Sequence, residues 1–149
     1  MTRHGAFTAI ELMTGLLVIT IVAAVALVSP KMTEQTAKRE AERLQAYLYL
    51  VMQSSDRRMQ DFDLDTFSDY ISVKWMGNSK YVDKSFKASH GCIYSDNFQG
   101  TNGKTTYSAK KKLFYNPGTI TINDANGKYY YVIIAGITEG RVRISDTAP

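Results

Sequence analysis

Glu11 is where the chemistry of this sequence starts. It is the one formal charge in the run Phe7–Val28, FTAIELMTGLLVITIVAAVALV. A helix of that length is roughly 33 Å long, enough to cross a bilayer core. A carboxylate in hydrocarbon costs about 3 kcal/mol and marks a site with a specific partner. A second set of residues is Arg141 and Arg143, within Gly140-Arg141-Val142-Arg143. On a strand they point to one face, about 6.5 to 7 Å apart, a spacing that suits successive phosphates of one DNA strand. Lys110, Lys111 and Lys112 extend that patch if the strand before Asn116 lies nearby. Such a surface reads charge and backbone shape, so binding is weak and steeply salt-dependent. The plainer and preferred reading is that both arginines cover the solvent face of an edge strand while Val142 and Ile144 pack inward.

Other constellations are incomplete. Asp61, Asp63 and Asp65 alternate, which invites a calcium loop. An EF-hand needs Gly after its third acidic residue and Glu at the twelfth position; here Thr66 and Ser72 stand there. The three Asp therefore read as the solvated face of a strand. His90-Gly91-Cys92 supplies half a zinc site, but Cys92 is the only cysteine and His4 the only other histidine, so nothing completes it. The same scarcity argues against a Ser-His-Asp or Cys-His site. The chain reads as non-enzymatic, with no cofactor and no metal.

Around these residues the elements are legible in part. At 149 residues there is room for one domain beyond the apolar segment, and ten Tyr and six Phe supply aromatic bulk for its core. The net charge of +4 and pI near 9.1 permit an acidic partner without requiring one. A lone cysteine excludes an intramolecular disulfide, and Cys92 reads as a packed small hydrophobe. Ser29-Pro30 interrupts the apolar run. Helical periodicity resumes at Lys31, with Ala37, Ala41, Leu44, Leu48 and Val51 as its apolar stripe and Glu34, Lys38, Glu40, Glu42 and Arg43 on polar faces. Phe7–Arg58 is expected to be one long, bent helix.

From Asp61 the period changes to two. Strands are predicted at Phe62–Thr66, Ile71–Trp75, Leu113–Tyr115, Thr119–Ile122, Tyr129–Ala135 and Arg141–Ile144. Asp124-Ala125-Asn126-Gly127 is a hairpin turn, and Tyr129–Ala135, apolar on both faces, is expected to be central. Residues 78–110 carry little signal beyond a loop tip at Asn97–Gly103. A helix followed by an antiparallel sheet is an α+β pattern.

The leader MTRHGA followed by Phe7-Thr8-Ala9-Ile10-Glu11-Leu12 resembles the type IV prepilin signal. The resemblance implies cleavage between Ala6 and Phe7 by a prepilin peptidase that also methylates Phe7. The alternative cut, after Gly5, restores the family's Gly but moves Glu11 from fifth to sixth place. Val28 and Ser29 also separate Pro30 from Leu27, where the family commonly has Pro directly. The physics fits the motif: a freed amine meeting Glu11 of a neighbouring subunit offsets two costly charges and sets the stagger between packed helices.

The helix, Phe114–Ile122 (FYNPGTITI) and Gly140-Arg141-Val142-Arg143 together are similar to the H-type secretion pseudopilins and the FimT-like minor pilins. That resemblance implies a pilin-like fold, a long transmembrane helix packed on a C-terminal antiparallel sheet. It divides the chain into a leader at 1–6, an assembly helix at 7–28, the soluble half of that helix at 29–58 and a β-rich domain at 59–149. It implies a subunit of a type IV pilus or type II secretion pseudopilus, held in the inner membrane with its C-terminal domain exported. The implied partners are the peptidase, other pilin or pseudopilin subunits and the inner-membrane assembly platform. DNA is the alternative partner, through Arg141 and Arg143, as in pilins used for natural transformation. The charge flanking the span points the other way, with Arg3 before it and Lys31, Lys38, Arg39 and Arg43 after it; the prepilin motif is the more specific signal.

Overall fold

The computed structural model describes residues 13–20, 36–77, 82–89, 91–98, 103–136 and 141–149. The chain divides into two units, Met1–Gln35 and Thr36–Pro149. In the first, residues 13–20 form a helix, α1, and every one of them is exposed. Its apolar side chains Leu16, Leu17, Val18 and Ile19 are 57–67% accessible. Pro30 and the rest of 21–35 lie outside the described residues, so the single long helix expected from the sequence is not shown. No helix among the described residues is long and apolar enough to cross a membrane.

The second unit begins with α2, Thr36–Arg58. Its stripe Ala37, Ala41, Leu44, Leu48, Val51 and Met52 is buried, as the four-three spacing predicts. Arg57 and Arg58 occupy the last turn, where positive charge suits the helix dipole. The helix stops at Met59, whose φ of 50° is left-handed. The Gln60 N–H then reaches back to the Ser55 carbonyl, 3.2 Å, satisfying an orphan helix acceptor.

Nine strands follow: β1 Phe62–Thr66, β2 Tyr70–Trp75, β3 Val82–Lys87, β4 Ile93–Asp96, β5 Lys104–Ser108, β6 Leu113–Phe114, β7 Gly118–Asn123, β8 Tyr129–Ile134 and β9 Val142–Ser145. They form two antiparallel sheets, not the single one expected. The first runs β3-β2-β1-β5-β6 and the second β4-β7-β8-β9. α2 packs on β7, β8 and β9 of the second sheet. A backbone bond links β4 to the β1–β2 turn of the first sheet, Tyr94 N–H to Ser68 O at 2.9 Å, and Asn97 N–H to Thr119 O at 3.2 Å extends the β4–β7 pairing to the point where the chain changes layer. Gly118 is needed at that corner, because a Cβ there would stand 2.6 Å from the Phe98 ring.

One core serves both sheets. In the first, Phe62 stacks on Tyr107 at 5.3 Å and meets Trp75 and Phe114 edge-on at 5.6 and 6.2 Å. The second contributes Ile120, Ile122, Val132, Ile134 and Val142. As expected, β8 is an inner strand and β9 an edge. The three Asp around β1 are not simply solvated. Asp61 accepts from the Ala109 N–H at 2.8 Å, Asp63 from the Thr106 hydroxyl at 2.7 Å, and Asp65 pairs with Lys104 at 3.0 Å. The acidic row is the cross-strand complement of β5.

Candidate assembly and nucleic-acid interface

Arg141 and Arg143 are both exposed, and between them Val142 is buried. The strand places them as alternation requires, with Arg143 opposite Ile133 on the outer face of the second sheet. The outward-facing Val142 carbonyl is not left to water: the Gln45 amide donates to it at 2.8 Å and the Tyr49 hydroxyl at 3.0 Å. Lys110, Lys111 and Lys112 are exposed in the turn between β5 and β6, on the other sheet. Lys112 adopts a left-handed φ of 53° there, and the Lys111 ammonium lies 5.4 Å over the Tyr115 ring. The two basic segments approach through their backbones. The Ala135 N–H donates to the Arg141 carbonyl at 3.0 Å. A Cβ at the next residue, Gly136, would stand 3.0 Å from the Phe114 carbonyl. So β6, into which the lysine turn leads, abuts the end of β8 that pairs with Arg141. Gly5, Ala6, Phe7 and Glu11 lie outside the described residues, as do Gly140 and His90.

The sequence reading missed a buried charge. Glu40 was expected on a polar face of α2, yet it is 1% exposed. Its position is the reason: it lies three residues after Ala37 and four before Leu44, inside the apolar stripe, and that spacing was the available signal. The carboxylate accepts from the Ser89 N–H at 3.1 Å, the Ser89 hydroxyl at 2.5 Å and the Tyr94 hydroxyl, and pairs with Arg43 at 2.6 Å. Arg43 also donates to the Ser89 hydroxyl and lies 5.2 Å over the Phe86 ring. Burial pushes the Glu40 pKa up, but the hydrogen bonds from Ser89 and Tyr94 and the Arg43 charge outweigh it and hold the carboxyl below its ordinary value. Burial and the bond to Glu40 push the Tyr94 phenol far up. Cys92 is buried beside them, and burial plus the Glu40 and Asp124 charges raise its thiol pKa. The cluster ties α2 to the β3–β4 connection and to β4. It is a fastening between layers, with the donors aimed at a carboxylate.

No protein-family model matches the chain, and no curated protein matches it. Among solved structures, it is similar to the minor pseudopilin EpsH from the Type 2 Secretion System of Vibrio cholerae. The TM-score is 0.55 at 15% sequence identity, over 74% of this chain and 96% of that one. At that identity the likeness establishes the fold alone: the chain has a pseudopilin-like α+β fold.

Proposed function

We infer that this chain is a structural subunit of a pilin-like filament, a minor pilin or pseudopilin. The observation that carries this reading is α1, a helix that leaves Leu16, Leu17, Val18 and Ile19 uncovered, on a chain whose fold is that of a minor pseudopilin. Apolar helical surface of this kind needs lipid or neighbouring helices to cover it. In this reading the leader 1–6 is removed after Ala6, Phe7 is methylated, and Glu11 takes the amine of an adjacent subunit as the helices pack. The subunit starts as a single-pass inner-membrane protein and leaves the membrane during assembly.

The first test is the intact mass and N-terminal sequence of the chain extracted from cells that carry a prepilin peptidase. A chain beginning at methylated Phe7 is expected; an intact Met1 overturns the pathway. Glu11→Leu should still be cut, while its recovery in sheared filaments drops about tenfold or more, since the amine of each neighbour then lacks its counter-charge.

The second reading is DNA capture, and the exposure of Arg141 and Arg143 on one face favours it. Retardation of double-stranded DNA by the chain should weaken about fivefold or more in the Arg141→Gln/Arg143→Gln double variant, with a shallower salt slope. Retardation that the double variant leaves unchanged excludes this surface.

A further inference from the structure

We propose that the outer face of the second sheet binds single-stranded DNA, with Tyr129 and Tyr131 stacking on bases and Arg141 and Arg143 holding phosphates. The proposal rests on the DNA-capture reading of the two arginines and adds to it the form of the DNA and the residues that select it. The register settles which side chains share this face. Tyr94, Ile120, Ile122, Val132 and Val142 are buried on the inner side. Alternation therefore turns Tyr129, Tyr131 and Ile133 of β8 outward, with Arg143 of β9 beside them. Tyr129 is 51% exposed and Arg143 is exposed, while Tyr131 and Ile133 are half-buried. Across its row Tyr131 has Thr121 on one side and Ser145 on the other. Those side chains are too short to cover its ring.

Spacing selects a single strand. Residues i and i+2 of a β-strand stand about 6.5 to 7 Å apart, about twice the 3.4 Å rise per base of duplex DNA. Rings at that interval do not match the bases of a duplex, whose faces already cover one another. They suit bases splayed out along an extended strand, each lying on one ring. Charge selects a polyanion. Among the described residues of the four strands, the outward positions hold no Asp or Glu. Asp96 and Asp124, at the ends of β4 and β7, accept from backbone amides of their own turns, and Asp146 lies beyond the end of β9. Tyr131 and Arg143 are diagonal neighbours across β8 and β9, about 7–8 Å apart and within reach of a long side chain. A guanidinium there meets the phosphate of the nucleotide whose base lies on Tyr131. Arg141 continues the line, its carbonyl accepting from the Ala135 N–H at 3.0 Å.

The full chain, held in zwitterionic lipid nanodiscs, is titrated into a fluorescein-labelled oligothymidylate of about 12 nucleotides, and anisotropy is read. A second arm uses the duplex of that strand with oligoadenylate. The single strand is expected to bind about fivefold or more tighter than the duplex. Tyr129→Ser/Tyr131→Ser should weaken single-strand binding about tenfold or more and duplex binding less than about twofold, which also shows that the fold is kept. Tyr129→Phe/Tyr131→Phe preserves the ring faces and should preserve single-strand binding. Equal binding of the two forms overturns the proposal. So does single-strand binding that the serine variant retains or the phenylalanine variant loses. If the single strand has no advantage but Arg141→Gln/Arg143→Gln still weakens duplex binding, the capture reading stands and this proposal alone fails. Absence of binding to either form overturns both.

Discussion

Glu40→Ala is expected to lower the stability of the Thr36–Pro149 unit by about 2–4 kcal/mol, the cost of leaving the Ser89 and Tyr94 donors without their acceptor, while Arg43 is exposed and returns to water. The substitution leaves Ser89, Tyr94 and Arg43 without the oxygens they converge on. Thermal unfolding should show it as a fall in Tm of about 10 °C or more. Glu40→Gln keeps one acceptor oxygen and should lose less. The pH dependence separates the charge from the packing. The Glu40 pKa is lowered in the folded state from its ordinary value of 4.5. Its contribution is therefore fully present above that value and is lost as pH falls through the folded one. The gap in stability between the native chain and Glu40→Ala should be constant from pH 7 to about 5 and narrow below 4.5. A gap that stays constant down to pH 3 would show that the carboxylate's charge is not what matters.

Phe62→Ala should be at least as damaging, at about 3–5 kcal/mol, by a different route. Phe62 is 0% exposed and touches three other aromatic rings, Trp75, Tyr107 and Phe114. Removing the ring opens a cavity that three strands of the first sheet surround, and rigid rings collapse into it poorly. Phe62→Leu fills most of the space and should cost about 1–1.5 kcal/mol. Denaturant midpoints give both numbers, provided the slope of the transition is unchanged. A loss under 1 kcal/mol for the alanine variant would mean that the aromatic cluster is loosely packed.

The parts of this fold that were legible in sequence are those whose burial follows a single period. The stripe of α2 announces itself at Ala37, Ala41, Leu44, Leu48 and Val51. The hairpin β7–β8 announces itself by its apolar runs and by Asn126-Gly127, where Gly127 indeed takes a φ of 73°. The strands that were hidden, β3, β4 and β5, are rich in polar residues. β5 reads Lys-Thr-Thr-Tyr-Ser, and its membership is decided by partners 39 and 43 residues away, Asp65 for Lys104 and Asp63 for Thr106. No local window holds that information. The division into two sheets was hidden for the same reason, because it turns on which distant strands pair. At the candidate sites, the placing of Arg141 and Arg143 followed from alternation alone. The burial of Glu40 was written in the helix spacing but masked by residue type, since carboxylates are rarely core residues unless paired.

The capped edge at β9 bears on what another chain would meet at this border of the sheet. A sheet margin with unsatisfied carbonyls is a template on which another chain adds a strand, and subunits concentrated in an array meet such margins constantly. Here Gln45 and Tyr49 occupy the Val142 acceptor. At the opposite margin of that sheet, the Tyr94 N–H is taken by Ser68. Both borders of the second sheet are thus partly sealed by the protein's own groups. Another chain brought alongside that sheet would therefore find little to zip onto at either border.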